Sequence, residues 1–213
     1  MIVLLNNPEP KVTGSMATYA RMTLRSILQP QVLPLFATSI ATFILIYGSF
    51  LAYFPFLLER SFAASPVFIG SVMSVASVAT AITSFQLGAL AQRWGSRALV
   101  KAGFALYAVS LAAIPLATNL WQLAAPVLLF GIANGVNVPS ILTILNEYAP
   151  SEYRAAFMSL NGMLLRLGQT LGPLLVGAAV EVVGLDGSFL VSAAFALATL
   201  LLILPVLRPE VAS

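Results

Sequence analysis

The sequence predicts an all-α integral membrane fold, a bundle of six transmembrane helices, and three observations carry that prediction. Only 8% of the 213 residues are charged while 60% are hydrophobic. The mean hydropathy is +0.98. The apolar residues run in six long stretches, each near the roughly 20 residues a helix needs to cross a bilayer. A soluble domain carries about a quarter charged residues, so lipid is the solvent of most side chains here.

Taken in order, the stretches cover 33–57, 67–91, 98–117, 121–146, 155–180 and 187–207. Polar or charged connectors separate them: Glu59 and Arg60, then Gln92 to Arg97, then Thr118 and Asn119, then Glu147 to Arg154, then Glu181 to Gly187. Each stretch far exceeds the length of a strand, and an open sheet edge cannot face lipid, so helices are the only reading. Residues 31–208 therefore form the membrane domain. Residues 1–30 form a polar leader with Lys11, Arg21 and Arg25, and 209–213 a short tail. Within the leader, Met16 to Leu28 reads equally as a basic helix lying on the inner leaflet or as a floppy segment. Ile2 to Leu5 lacks a basic region before it and a small-residue cleavage site after it, so no signal peptide is expected.

Orientation follows from lysine and arginine. With the N-terminus cytosolic, Lys11, Arg21, Arg25, Arg93, Arg97, Lys101, Arg154 and Arg208 all fall on the inner side, and only Arg60 on the outer. This bias predicts a multi-pass protein of the cytoplasmic membrane with both termini inside. The same scatter accounts for the net charge of +3 without any nucleic-acid partner. The chain has no cysteine and no histidine, which removes disulfides, thiolate metal sites, cysteine nucleophiles and the commonest general base. No metal, cofactor or enzymatic activity is expected.

The second connector reads Gly88-Ala-Leu90-Ala-Gln92-Arg93-Trp94-Gly95-Ser96-Arg97. Two helices joined so tightly need a glycine at the turn, and the arginines hold that turn at the cytosolic face. Further on come Asn146-Glu147-Tyr148, Pro150, Glu152 and Arg154, then Asn161, then Gly168-Gln-Thr-Leu-Gly172-Pro173 with Gly177. The first of these segments resembles the signature loop of the major facilitator superfamily, Gly-x-Leu-Ala-Asp-Arg-x-Gly-Arg-Lys. Gln92 replaces its aspartate and Ser96 its first basic residue. The later segments resemble the superfamily's arginine-initiated, glycine–proline-kinked fifth helix. The resemblance covers about residues 31–207 and implies half of a major-facilitator fold, two inverted three-helix repeats, where whole members have two such halves. The degenerate loop and the leader, which resembles the family's central interdomain loop, point to the C-terminal half. The chain is then a fragment, a split gene product or a half that pairs with an N-terminal half or a second copy of itself.

Arg166 lies about a dozen residues into the fifth span, where charge is costly. It reads either as a contact for an anionic substrate group or as a structural arginine bonded to helix carbonyls. Gln169 and Thr170 share its face, while Gly168 and Gly172 lie on another suited to close packing. Asn134 and Asn137 share a face of the fourth span, as substrate contacts or interhelical glue, and Pro139 beside them can hinge that helix. Tyr47 and Tyr53 on the first span, and Ser74, Ser77, Thr80, Ser84 and Gln86 on the second, are further cavity candidates. Helices one, two, four and five should line a concave polar side. Helices three and six, with little polar beyond Tyr107, Ser110, Ser192 and Thr199, should face lipid. Glu147 could latch onto Arg93 or Arg97 at the cytosolic rim.

These readings favour a secondary transporter for a small organic solute working by alternating access, with drug efflux as the first substrate expectation. The competing class is a non-transporting partner whose helices only pack.

Overall fold

A computed structural model describes residues 32–149, 151 and 154–207 of the chain; the leader at 1–30 and the tail at 209–213 lie outside them. Helix α1 spans Leu33–Phe62. Its middle, Leu45–Tyr53, winds in wide turns in which the Phe54 amide donates five residues back to Ser49. Pro55 offers no amide hydrogen, and the widened turns fall immediately before it. α1 ends at Ala63, which takes a left-handed conformation (φ 49°). Ser65 then caps α2 (Pro66–Phe85) by accepting from the Phe68 amide at 3.3 Å, with Pro66 in the first turn where its missing donor costs nothing.

The second stretch is not one straight helix. At Gln86 the backbone leaves helical values (ψ −1°) and α3 (Leu87–Trp94) follows, although the Leu90 amide still reaches the Gln86 carbonyl at 3.1 Å. Gly95 (φ 77°) makes the turn into α4 (Ser96–Ala113), as the tight connector required of a glycine. A 3-10 turn, Ile114–Leu116, finishes that span. Asn119 caps the turn Leu120–Leu123 by accepting from Gln122 at 3.1 Å, and α5 (Ala124–Tyr148) follows.

The last helical run, Arg154–Ile203, is 50 residues long. At 1.5 Å per residue it would extend about 75 Å, far beyond a hydrocarbon core of about 30 Å. Gly184 (φ 77°, ψ 174°) breaks it and divides it into α6 (154–183) and α7 (185–203). Among the described residues five helical runs are thus apolar and long enough to cross a membrane, and the fifth, broken at Gly184, has the length of two spans. Glu181 and Asp186, which look like loop residues, sit on the last and first turns of these two helices.

The packing order is that of two interlocked repeats. α2 runs parallel to α5: Ala76 and Ala79 lie against Gly131, and Thr80, Thr83 and Ser84 against Gly135. α1 runs parallel to α6: Ile40 lies against Gly168, Ile44 and Gly48 against Gly172, and Tyr53 against Gly177. A Cβ on Gly172 would stand 2.8 Å from the Gly48 nitrogen, so glycine is what allows the backbones to meet. An in-plane two-fold that exchanges spans one to three with four to six turns the first of these pairs into the second. It maps the pairing of α4 with α7 onto itself. The α4–α5 contacts, Tyr107 to Asn134 and Ser110 to the Pro126 carbonyl, become the α1–α7 contact, Ser49 to Ser192 at 2.8 Å.

Aromatic rings bind the middle. Phe50 stacks on Phe54 and, at 4.2 Å between centroids, on Phe130, which meets Tyr107 at 4.9 Å. Phe36 meets Phe157 at 5.0 Å between α1 and α6.

Candidate functional site

Four helices stand side by side in the order α2, α5, α1, α6, with α4 and α7 behind them. The front row is therefore made of the first, second, fourth and fifth spans. The back row departs from the sequence expectation in one respect. Tyr107 and Ser110 face the bundle and are fully buried, while Val109 on the same helix is exposed. A peripheral helix buries one stripe, and here the polar residues lie on it because their partners, Asn134 and the Pro126 carbonyl, are on α5.

Arg166 is exposed on α6 between Met163, Leu167 and Thr170, and its guanidinium donates to Gln169 Oε1 at 3.2 Å. It stands twelve residues from the start of α6, about 18 Å along a helix of about 45 Å. Glu59, Glu147, Glu181 and Asp186 all lie near helix ends, so no carboxylate among the described residues matches its depth.

The two asparagines of α5 turn away from the front. Asn134 accepts from the Tyr107 hydroxyl at 3.3 Å, and Asn137, wholly buried, donates to Thr42 Oγ1 at 3.2 Å. In this arrangement they tie α5 to α4 and α1, the interhelical role of a polar amide in lipid. Pro139 cannot donate to the Gly135 carbonyl; Ser84 of α2 does so instead at 3.1 Å. Thr80 reaches the Gly131 carbonyl at 2.9 Å in the same way.

Tyr47 is half-buried and stacks on Phe43, and the Tyr53 hydroxyl lies over Gly177. Neither is brought against Arg166 by any hydrogen bond. Pro173 follows the Gly172 contact on α6. Between α2 and α5 lies an open recess of about 460 Å³, lined by Ser74, Val78, Ile82, Leu128 and Ile132 and mostly apolar.

At the basic end of the bundle, Gln92 and Arg93 are exposed, Arg93 lies over the Trp94 ring at 5.5 Å, and a Cβ on Gly88 would meet nothing within 4 Å. Arg97, Lys101 and Glu147 line one recess of about 360 Å³, and the Lys101 ammonium donates to the Leu207 carbonyl at 3.2 Å. Sequence reading passed over Ser39 and Thr42, which are buried at the junction of α1, α5 and α6. Their three-residue spacing on α1 was the available signal.

The family model of the Major Facilitator Superfamily matches residues 13–213. "Probable anion transporter 5" of Arabidopsis thaliana is 32% identical over 125 residues, covering 58% of this chain and 29% of that protein. The niacin transporter NiaP of Acinetobacter baylyi is 28% identical over 103 residues, 48% of this chain and 24% of that one. The multidrug resistance protein MdtG of Enterobacter lignolyticus is 30% identical over 125 residues, 58% and 30%. Among solved structures, the human organic anion transporter MFSD10 (TETRAN) superposes with a TM-score of 0.69 at 22% identity, covering 82% of this chain and 40% of that one. The chain thus spans less than a third of the length of these curated relatives, and it shares a fold with the solved structure. With six apolar spans in interlocked repeats and a family match over nearly its whole length, the chain is a multi-pass membrane protein that belongs to the major facilitator superfamily.

Proposed function

We propose that this six-helix unit is one half of a secondary transporter for a small organic solute, and that a second six-helix bundle covers the front row of α2, α5, α1 and α6. Arg166 carries the reading. A guanidinium this deep on an outward face is expensive against lipid and reasonable against a wet cavity shared with another bundle. The exposed character of α2, which buries only Ala76 and Ala79, supports the same cover. The covering bundle is an N-terminal half or a second copy of this chain, and the basic end of the unit faces the cytosol.

Arg166 with Gln169 forms a donor pair suited to an anionic group on the solute, in keeping with relatives named for anions and niacin. Tyr47 and Tyr53 flank the α1–α6 seam as further contacts, Pro139, Gly168, Gly172 and Pro173 set where the helices bend and touch, and α3 with the Gly95 turn, Arg97 and Glu147 forms the rim that moves. Efflux of apolar drugs is the second reading, favoured by the apolar recess between α2 and α5 and by the MdtG relative.

Proteoliposomes containing the unit with its covering bundle should take up an aromatic carboxylate, and less of it with Arg166→Leu. Equal uptake by wild type and Arg166→Leu, with efflux of a neutral dye retained, would favour the second reading.

A further inference from the structure

Serine and threonine hydroxyls within these helices mostly donate to the carbonyl four residues back: Thr38 to Pro34, Thr42 to Thr38, Ser71 to Val67, Ser74 to Gly70. This is their default in a lipid-embedded helix, because it costs no partner from elsewhere. Ser39 on α1 and Ser140 on α5 break the habit, each with a buried hydroxyl that has no hydrogen-bond partner among the described residues; 2% of Ser39 is exposed. The carbonyl oxygen of Asn161, on α6 and 1% exposed, is in the same condition. Ser39 and Asn161 line one small void of about 10 Å³ together with Thr42 and the apolar side chains of Phe43, Leu142 and Leu165.

We propose that this void is a binding site for a single water molecule that joins α1 to α6. The volume is at the threshold for one water, and a buried water commonly makes about three hydrogen bonds. The three polar groups supply that number with matched polarity. Ser39 has a hydroxyl proton to donate. Asn161 Oδ1 can only accept. Thr42 Oγ1 spends its proton on the Thr38 carbonyl and one lone pair on Asn137, which leaves one lone pair free. One water accepting from Ser39 and donating to Asn161 and Thr42 therefore satisfies the three polar side chains that line the void. A bare cation fits less well: it would leave the Ser39 proton without an acceptor, and three neutral oxygens fall short of the six or so that hard cations collect. The site lies on the α1–α6 seam, below Gly168 as α6 runs from its Arg154 end, where the two helices do not touch backbone to backbone through a glycine.

X-ray radiolytic labelling of the purified full chain in detergent, after mixing into ¹⁸O-water, tests this, because a bound water labels the side chains around it even where bulk solvent cannot reach. Phe43, Leu142 and Leu165 should be modified, and should incorporate ¹⁶O at early times as the trapped water exchanges slowly. These three side chains are half-buried, so the early ¹⁶O fraction decides: a fraction no higher than at the half-buried Leu106 of α4 would overturn the proposal. In Asn161→Leu, whose side chain occupies the void, the early ¹⁶O fraction should fall to that of Leu106; its persistence in a folded, monodisperse variant would place the water elsewhere and overturn the assignment. Ser39→Ala gives the same reading with a smaller change of shape. A sodium-specific rise in melting temperature over choline that is lost in Ser39→Ala would replace the water by a cation and overturn the assignment.

Discussion

The Ser84 hydroxyl donates to the Gly135 carbonyl across 3.1 Å, giving a donor to the acceptor that Pro139, four residues on, leaves without an amide. The bond joins α2 to α5 at the place where α5 would otherwise expose an unpaired carbonyl to a medium that offers none. Ser84→Ala should therefore destabilise the protein, by about 0.6 kcal/mol and at most about 1.7. In a Pro139→Ala background the alanine amide can return to Gly135, and the cost of Ser84→Ala should shrink. Equilibrium unfolding in mixed micelles, run as a double-mutant cycle, measures the coupling; additive effects would contradict the pairing.

The glycines of α6 differ in what surrounds them. A Cβ on Gly168 would lie 2.7 Å from the Ile40 carbonyl oxygen, whereas one on Gly162 meets nothing within 4 Å. Gly168→Leu should open the α1–α6 seam at a cost above the roughly 1–3 kcal/mol of ordinary overpacking, because backbone rather than a side chain must move. Gly162→Ala should be neutral or stabilising by up to about 1 kcal/mol. Melting temperatures of the two variants side by side decide the matter.

Arg166→Lys should retain insertion but recover only part of the transport, since a planar fork that reaches both Gln169 and an anion is replaced by a point charge. Arg166→Gln and Arg166→Leu should transport less still. Co-purification with the covering bundle separates the two roles open to Arg166: lost transport with normal pairing indicates solute contact, and lost pairing indicates an interface contact. Wild-type transport by the leucine variant would exclude both.

The absence of cysteine makes topology directly testable. Ser96→Cys at the basic end should react with an impermeant maleimide only after the membrane is opened, and Asp186→Cys at the opposite end should react in intact cells. The reverse pattern would invert the orientation inferred from the arginines and lysines.

Six spans were legible because about 20 apolar residues in a row have few alternatives, and the Gly95 turn because so short a connector leaves few ways to reverse the chain. The widened turns of α1 were not, since they depend on Pro55 acting on the turns before it and leave no mark on hydropathy. The turn at Gly184 was blurred by Glu181 and Asp186, whose charges read as a loop though they sit on helical turns at the membrane surface. Asn134 and Asn137 showed that one face of α5 was polar. Whether that face met solute or neighbours depended on Tyr107 and Thr42, in other spans, and no local pattern carries that information. The void beside Ser39 was hidden for the same reason, as it takes α1, α5 and α6 together to enclose it.

The parallel pairs α1–α6 and α2–α5 have a consequence for how the chain is made. Each helix of the first repeat finds its main partner in the second, so α1 enters the bilayer four spans ahead of Gly168 and Gly172. At a synthesis rate of roughly 5–20 residues per second, that interval is on the order of ten seconds. During it, Ile40, Ile44 and Gly48 face lipid or a chaperone, and α2 waits likewise for Gly131 and Gly135. A chain stopped after Leu116 holds three spans without their seams, and the quality-control machinery of the membrane meets in it a substrate that no further time can fold.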